Sequence, residues 1–568
     1  MPPTSFLRRR APQTATALTP DARPLLAAGV AFEKGIDEAA WIVMLHGVPS
    51  SRVSGAVVDM LTALDGETPL HALHMRFAAA ESWESFLGLV LRFRASGLLD
   101  GDTKLPPGRW DYRPPFTLQI ATLRAPALFG RVDHLVVPLS GRAVGATVAV
   151  LLGLGLVAAI LQAGELRSAL TSPIPLSGLV ILVAGLSLLT LLHEGAHGLT
   201  LTRFGGRPRR AGFMIFYLTP AFFVDVTDGW RLPDRRQRVA IALAGPAVHA
   251  AVAAVALLVA LALPDTEVRQ TLVLLALACA AIVLVNLIPF VRFDGYIALM
   301  SALDEPNLRA RTIRDGANFL TRFLFGGQRA AKSLNTWWSV PFGLASLLAP
   351  VVLVLFAVGR AARAVAGGGP VLGLLVVALE AVVVVVGVVL VSRALHRAFR
   401  SGVSRLRFFT VLAALVSTIA VAGVLIPVPV TATLGFSAQG GHVVLLHAGG
   451  AAETEVPEGA RVVLMSSGIL ADERVGEGTV TRPRAIPTEV PLDALFPVTA
   501  EGVTLPAVIV AGVDLTDGNP RLPATGQARV ELGVRNVWQS LWATGVTLPL
   551  ATLQSERAEE DENERLRH

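Results

Sequence analysis

The chain has 568 residues, of which 53% are hydrophobic and only 16% charged, and its mean hydropathy is +0.58. A soluble chain carries about a quarter charged residues, so an ordinary soluble globular protein is excluded and bilayer-spanning helices are implied. The formal charge of +6 comes mostly from arginines between apolar runs, which orients a chain in a membrane and, with no nucleic-acid motif present, gives no nucleic-acid partner. The single cysteine, Cys279, excludes an intrachain disulfide and a cysteine-based metal site.

In chain order, residues 1–19 read as a flexible tail. Arg8, Arg9 and Arg10 have no apolar stretch behind them, so this is not a secretory signal. Residues 20–110 read as a small α+β domain. Strands are expected at Gly29–Phe32 and Trp41–Leu45, then helices at Val53–Leu64, Leu70–Phe77 and Trp83–Ser96, with Gly66 and Gly97 as breaks. Val57, Met60, Leu61 and Leu64 recur at helical spacing. Two strands before three short helices make a winged-helix-like arrangement. Residues 111–142 read as a linker.

Seven apolar runs follow within residues 143–428: Val144–Ala163, Leu176–Thr200, Val239–Leu263, Thr271–Pro289, Trp338–Val358, Val371–Val391 and Phe408–Ile426. Each is close to the ~20 residues that a bilayer requires. Alternate joins are rich in arginine, as between Thr202 and Arg238, and the intervening joins are poor. The positive-inside rule then places the N-terminal domain in the cytoplasm and the part after the seventh run outside. Residues 429–555 hold short Val/Leu/Ile runs between Gly- and Pro-rich turns and read as all-β, weakly similar to the small barrels of periplasmic adaptor proteins. Residues 556–568 read as a charged, disordered tail. The expected fold class is a mainly α-helical multi-pass cell-membrane protein of about seven transmembrane helices, with a winged-helix-like α+β domain in front and an all-β domain behind.

His193-Glu194-Gly195-Ala196-His197 closes the second apolar run. Histidines four apart project from one helix face and can share a metal, and a glutamate beside them can take a proton from water. Ionisable groups inside an apolar run are costly and usually functional. A catalytic zinc site needs a third protein ligand. Asp294, in "NLIPFVRFDGYIAL", follows the fourth run at the same expected membrane face as the histidines. Metal ligand, solvated loop carboxylate and helix N-cap all remain open for it on the residues alone. Gly295 permits a close turn beside Asp294, and Pro289 breaks the helix before it.

Three stretches in order, "LLHEGAHGLTLTRFGGRPRRAGFMIFYLTPAFFVDVTDGW", "RVAIALAGP" and "NLIPFVRFDGYIAL…LDEPNLR", resemble the site-2 protease superfamily of intramembrane zinc metalloproteases over residues 140–335. More narrowly, the chain is similar to the peptide zinc metalloproteases of bacterial ribosomal-peptide gene clusters, including the daptide branch. The stretch "VVDMLTALDGETPLHAL…FLGLVLRFRASGLLDG" resembles the PqqD-like peptide-recognition domain of those systems. The resemblance implies Zn2+ held by His193, His197 and Asp294, Glu194 as catalytic base, and Asn286 near the substrate strand, although a helix-packing amide is an equal reading of Asn286. His249 is expected to be a packing histidine, and Asp225 and Asp228 to cap turns. The apolar stretch from Arg210 to Val226 is expected to form a partly re-entrant hairpin able to pair with an extended substrate. The implied function is removal of a leader from a ribosomally made precursor, with a peptide or membrane peptide as substrate and the bilayer as surroundings. A regulatory protease that releases a membrane-tethered factor, and an export or immunity protein with a protease-like core, are the alternatives.

Overall fold

Alternating apolar residues set the first strands. In the computed structural model, which describes residues 18–543 apart from 35–39, 46–47, 101–109, 114–116, 123, 137–141, 217–218, 265–266, 306, 327–331, 366–369, 401, 440–441, 449–455, 470, 482–485 and 517–521, β1 (Val30–Lys34), β2 (Ala40–Leu45) and β3 (Val48–Ser54) form an antiparallel sheet with β2 in the middle. The third strand falls where a helix was expected to begin at Val53. Its sequence, VPSSRVS, is polar and holds a proline, so pairing with β2 sets its conformation more than its own propensity does. Helices α1 (Gly55–Thr62), α2 (Leu70–Phe77) and α3 (Trp83–Ala95) pack on it through Val43, Leu61, Leu70, Leu73, Phe86 and Val90. Between α1 and α2, Asp65 accepts from the backbone N–H groups of Thr68 and Glu67, which hold its carboxyl below the usual 3.8.

The expected linker holds β4 (Trp110–Arg113), β5 (Thr117–Thr122) and α4 (Ala125–Val136). Next come α5 (Arg142–Leu161), α6 (Ala163–Thr171), β6 (Ile174–Pro175) and α7 (Leu176–Arg203). The hairpin β7 (Ala211–Phe216) and β8 (Thr219–Val224) occupies the stretch expected to be one. It is joined by β5 and β4 into a four-stranded antiparallel sheet of order β4-β5-β7-β8. Gly212 permits that pairing, since a Cβ there would lie 2.1 Å from the Ile120 carbonyl oxygen. Then follow α8 (Arg235–Ala262), α9 (Glu267–Asn286), α10 (Asp294–Leu303), α11 (Leu308–Phe325), α12 (Ser339–Val365), α13 (Pro370–Arg400) and α14 (Arg405–Leu425). Among the described residues six helices are long and apolar enough to cross a membrane: α7, α8, α9, α12, α13 and α14. The first expected run is instead the pair α5 and α6, bent by 71°, which raises the number to seven if the pair counts as one span.

The chain falls into two compact units, Met1–Gly141 with Thr190–Gly245, and Arg142–Leu189 with Pro246–His568; the divisions lie inside α7 and α8. The first unit carries the α+β domain, the four-stranded sheet and the His193–His197 part of α7. Arg231 forms an ion pair with Glu33 on β1, which ties the α+β domain to the segment after β8. In the second unit, Gln162, almost fully buried at the α5–α6 bend, donates to the carbonyls of Ala158 and Leu257. The unit ends in β9 (Pro427–Gln439), β10 (His442–Ala448), β11 (Arg461–Met465), β12 (Arg474–Thr481), β13 (Ile486–Pro491), β14 (Val498–Thr499), β15 (Thr504–Leu515), β16 (Thr525–Asn536) and α15 (Val537–Trp542). Pairing of β10 with both β9 and β15 closes six antiparallel strands into a barrel around Phe436, Leu445, Val462, Leu464 and Val530. Closure gives each of these six strands a neighbour on both sides, and among the described residues β13 pairs with β15 alone. The charged tail at 556–568 and most of the tail at 1–19 lie outside the described residues.

Candidate metal centre

Helix α7 is continuous from Leu176 to Arg203, so His193 and His197 stand one turn apart on one face. Both are buried, and their Nε2 atoms lie 3.2 Å apart. The Nδ1 of His197 is 2.6 Å from the Ile241 carbonyl oxygen on α8. A proton on Nδ1 donates to that carbonyl, and Nε2 then keeps its lone pair for a ligand. Gly245, one turn further along α8, faces both rings. A Cβ at that position would lie 2.4 Å from the His193 Nε2 and 2.5 Å from the His197 Nε2. The missing side chain therefore leaves space in front of both nitrogens. Pro246 follows inside the helix and cannot donate to the Ala242 carbonyl, an irregularity that membrane helices tolerate.

Asp294 is the first residue of α10, and the N-cap position belongs to Phe293, whose side chain makes no cap. The ligand atoms of His193, His197 and Asp294 all lie within 4.8 Å of one another, a group that could hold a metal ion through two ring nitrogens and one carboxylate oxygen. Gly295 fixes this start of α10. A Cβ on it would lie 2.4 Å from the Leu287 carbonyl oxygen, so the turn after α9 closes only on a glycine.

Glu194, half-buried beside the first histidine, accepts a hydrogen bond at 3.0 Å from the backbone N–H of Val224 on β8. The other residues singled out in the sequence have different surroundings. The Asn286 amide donates to the Ile282 carbonyl of its own helix at 3.0 Å. His249 is buried on α8 and does not belong to the His193–His197–Asp294 group. Asp225 accepts from the N–H and hydroxyl of Thr227 and so closes a turn. Asp228, only 2% exposed, accepts from the Arg207 N–H and sits between the Arg209 and Arg231 guanidinium groups.

Gly245, the Ile241 carbonyl and the Val224 N–H were not singled out in the sequence. Two of them act through the backbone and the third through having no side chain, so residue type gives no sign of them. A Gly-Pro pair inside an apolar run is the one available signal. No protein-family model, curated protein or solved structure matches the chain.

Proposed function

We propose that the chain is a membrane-embedded zinc metallopeptidase of the site-2 protease kind, with Zn2+ held by His193, His197 and Asp294 and with Glu194 as general base. The observation that carries this reading is the convergence of two imidazoles and a carboxylate, with Glu194 adjacent in sequence to the first imidazole. Two nitrogens and one oxygen form a donor set of zinc hydrolases that leaves a fourth position open, and the space kept by Gly245 suits such a group. Zinc, when bound, lowers the pKa of a water and polarises the scissile carbonyl. Glu194 accepts the proton of the attacking water and returns it to the nitrogen of the leaving amine.

The position of Glu194 also speaks for an extended substrate. The Asp225 N–H bonds to the Arg210 carbonyl, so in the next pair, Ala211 and Val224, the Val224 N–H turns away from β7. That N–H meets Glu194, at the edge of β8 that has no partner strand among the described residues. A peptide added to this edge would run past the base. Leader removal from a precursor peptide is the reaction we assign, and the winged-helix-like front domain is the capture module. In the three-stranded sheet β2 is paired on both sides, whereas β1 has a neighbour on one side only among the described residues, so capture falls to the open edge of β1. The front domain lies in the cytoplasm and the barrel outside, on seven spans with α5 and α6 counted as one.

Metal analysis of purified variants beside a precursor-cleavage assay tests the reading. Glu194→Gln should keep one zinc per chain and slow cleavage by about 10²- to 10⁴-fold, the scale of a general base. Asp294→Ala should lose zinc, whereas Asp225→Ala should keep both zinc and activity. Full activity in Glu194→Gln would end the protease reading.

A further inference from the structure

The last helix of the barrel domain packs against the end of an apolar span. A capping box starts α15: the Asn536 side chain accepts from the Gln539 N–H at 2.8 Å, and the Gln539 side chain accepts from the Asn536 N–H at 3.2 Å. The Trp538 indole N–H donates to the Ala420 carbonyl of α14 at 3.1 Å. Gly423 makes the slot for the indole, since a Cβ there would lie 2.1 Å from its Nε1. Ala420 is five residues from the end of α14, about 7.5 Å along the axis. The indole is therefore seated beside the last turns of a membrane-spanning helix.

Around this contact the surface is apolar and open. Val424, Leu425 and Ile426 at the end of α14, and Leu541 and Trp542 on α15, are all exposed. Beside α15 lies a cavity of about 770 Å³ lined by Arg535, Trp538, Gln539, Trp542 and Ala543. Tryptophan favours the level at which headgroups meet hydrocarbon, and an arginine there attracts anionic headgroups. The exposed end of α14 is apolar, and among the described residues Arg535 is the only charged group lining the cavity.

We propose that this cavity binds a membrane phospholipid, with the phosphate on Arg535 and the Gln539 amide, and an acyl chain along Leu541, Trp542 and the end of α14. Such a lipid anchors the barrel domain to the bilayer surface through α15. The proposal rests on α14 being a membrane span.

The test uses the full-length protein in phosphatidylglycerol nanodiscs. A nitroxide on the Leu541→Cys variant, in a Cys279→Ala background, should collide more with oxygen than with a water-soluble nickel chelate. The same label on Glu501→Cys, an exposed barrel-domain site, should show the reverse order. Native mass spectrometry should find phosphatidylglycerol retained by the parent and by Arg535→Lys, and about fivefold less on Arg535→Gln, the effect of one basic group near anionic headgroups. Equal nickel access at 541 and 501, or undiminished lipid on Arg535→Gln, would overturn the proposal. So would a label at 541 shielded from both quenchers, because protein, such as the chain's own last residues, would then fill the cavity. A label on Val416→Cys, within α14, separates the two readings: water access there would overturn the span itself.

Discussion

Gly245 has no functional group, yet it stands directly against two of the three side chains that could hold a metal ion. Its Cα faces two imidazole nitrogens that a methyl group would approach to 2.4 and 2.5 Å. Gly245→Ala should therefore displace the rings and lower zinc affinity by about 10- to 100-fold, as loss of a group that orients a ligand does. Alanine is a better helix former than glycine by about 1 kcal/mol, so α8 itself should not weaken. Competition with a chromophoric chelator reads the affinity and a thermal melt reads the fold; zinc binding equal to the parent's would show that the space is not needed. This residue also marks the limit of the sequence. His193, Glu194 and His197 are legible because one helical period places them together. Asp294 was only nominated, since its approach to them depends on how the chain turns after α9. Gly245 was hidden because its role is defined by what stands opposite it.

At the scale of elements, α11 shows how a buried carboxylate holds a loop. Asp315 is 3% exposed and accepts from the Ser333 N–H at 2.6 Å, the Leu334 N–H at 3.1 Å and the Ser339 hydroxyl. Burial alone would raise its carboxyl, but these bonds outweigh burial and hold it below the usual 3.8. The sign follows from linkage. A carboxyl depressed in the folded state contributes its stability fully above 3.8, and loses it as the pH falls below that value. Asp315→Ala should destabilise the fold by on the order of 3 kcal/mol at neutral pH, because three donors lose a charged acceptor. Melting temperatures of parent and variant should converge as the pH falls below 3.8; a constant gap would show that packing rather than ionisation matters. Elements were legible in proportion to their own pattern. The long apolar helices and the β7–β8 hairpin could be read directly. Strand β5, Thr117–Thr122, alternates over only six residues behind Pro114 and Pro115, and its partner β7 lies some ninety residues further on, so the segment looked like a linker.

At the scale of the molecule, the question is how a peptidase in a membrane would choose its substrate. The first compact unit holds both the β1–β3 domain and the His193–Glu194–His197 turn of α7, and the Arg231–Glu33 ion pair ties that domain to the segment after β8. A domain held there would present a captured leader to the β8 edge at an effective concentration in the millimolar range, without altering the site itself. Removal of residues 1–100, which ends before β4 and so leaves the four-stranded sheet whole, should then keep zinc binding. Cleavage of the precursor at micromolar concentration should fall by about a hundredfold, and millimolar precursor should restore most of it. Titrating the precursor against full-length and shortened chains in matched membranes reads both effects, with zinc content as the control for folding. Equal rates at every concentration would assign the front domain to another partner. A loss that no concentration restores would mean that the domain shapes the site rather than delivering to it.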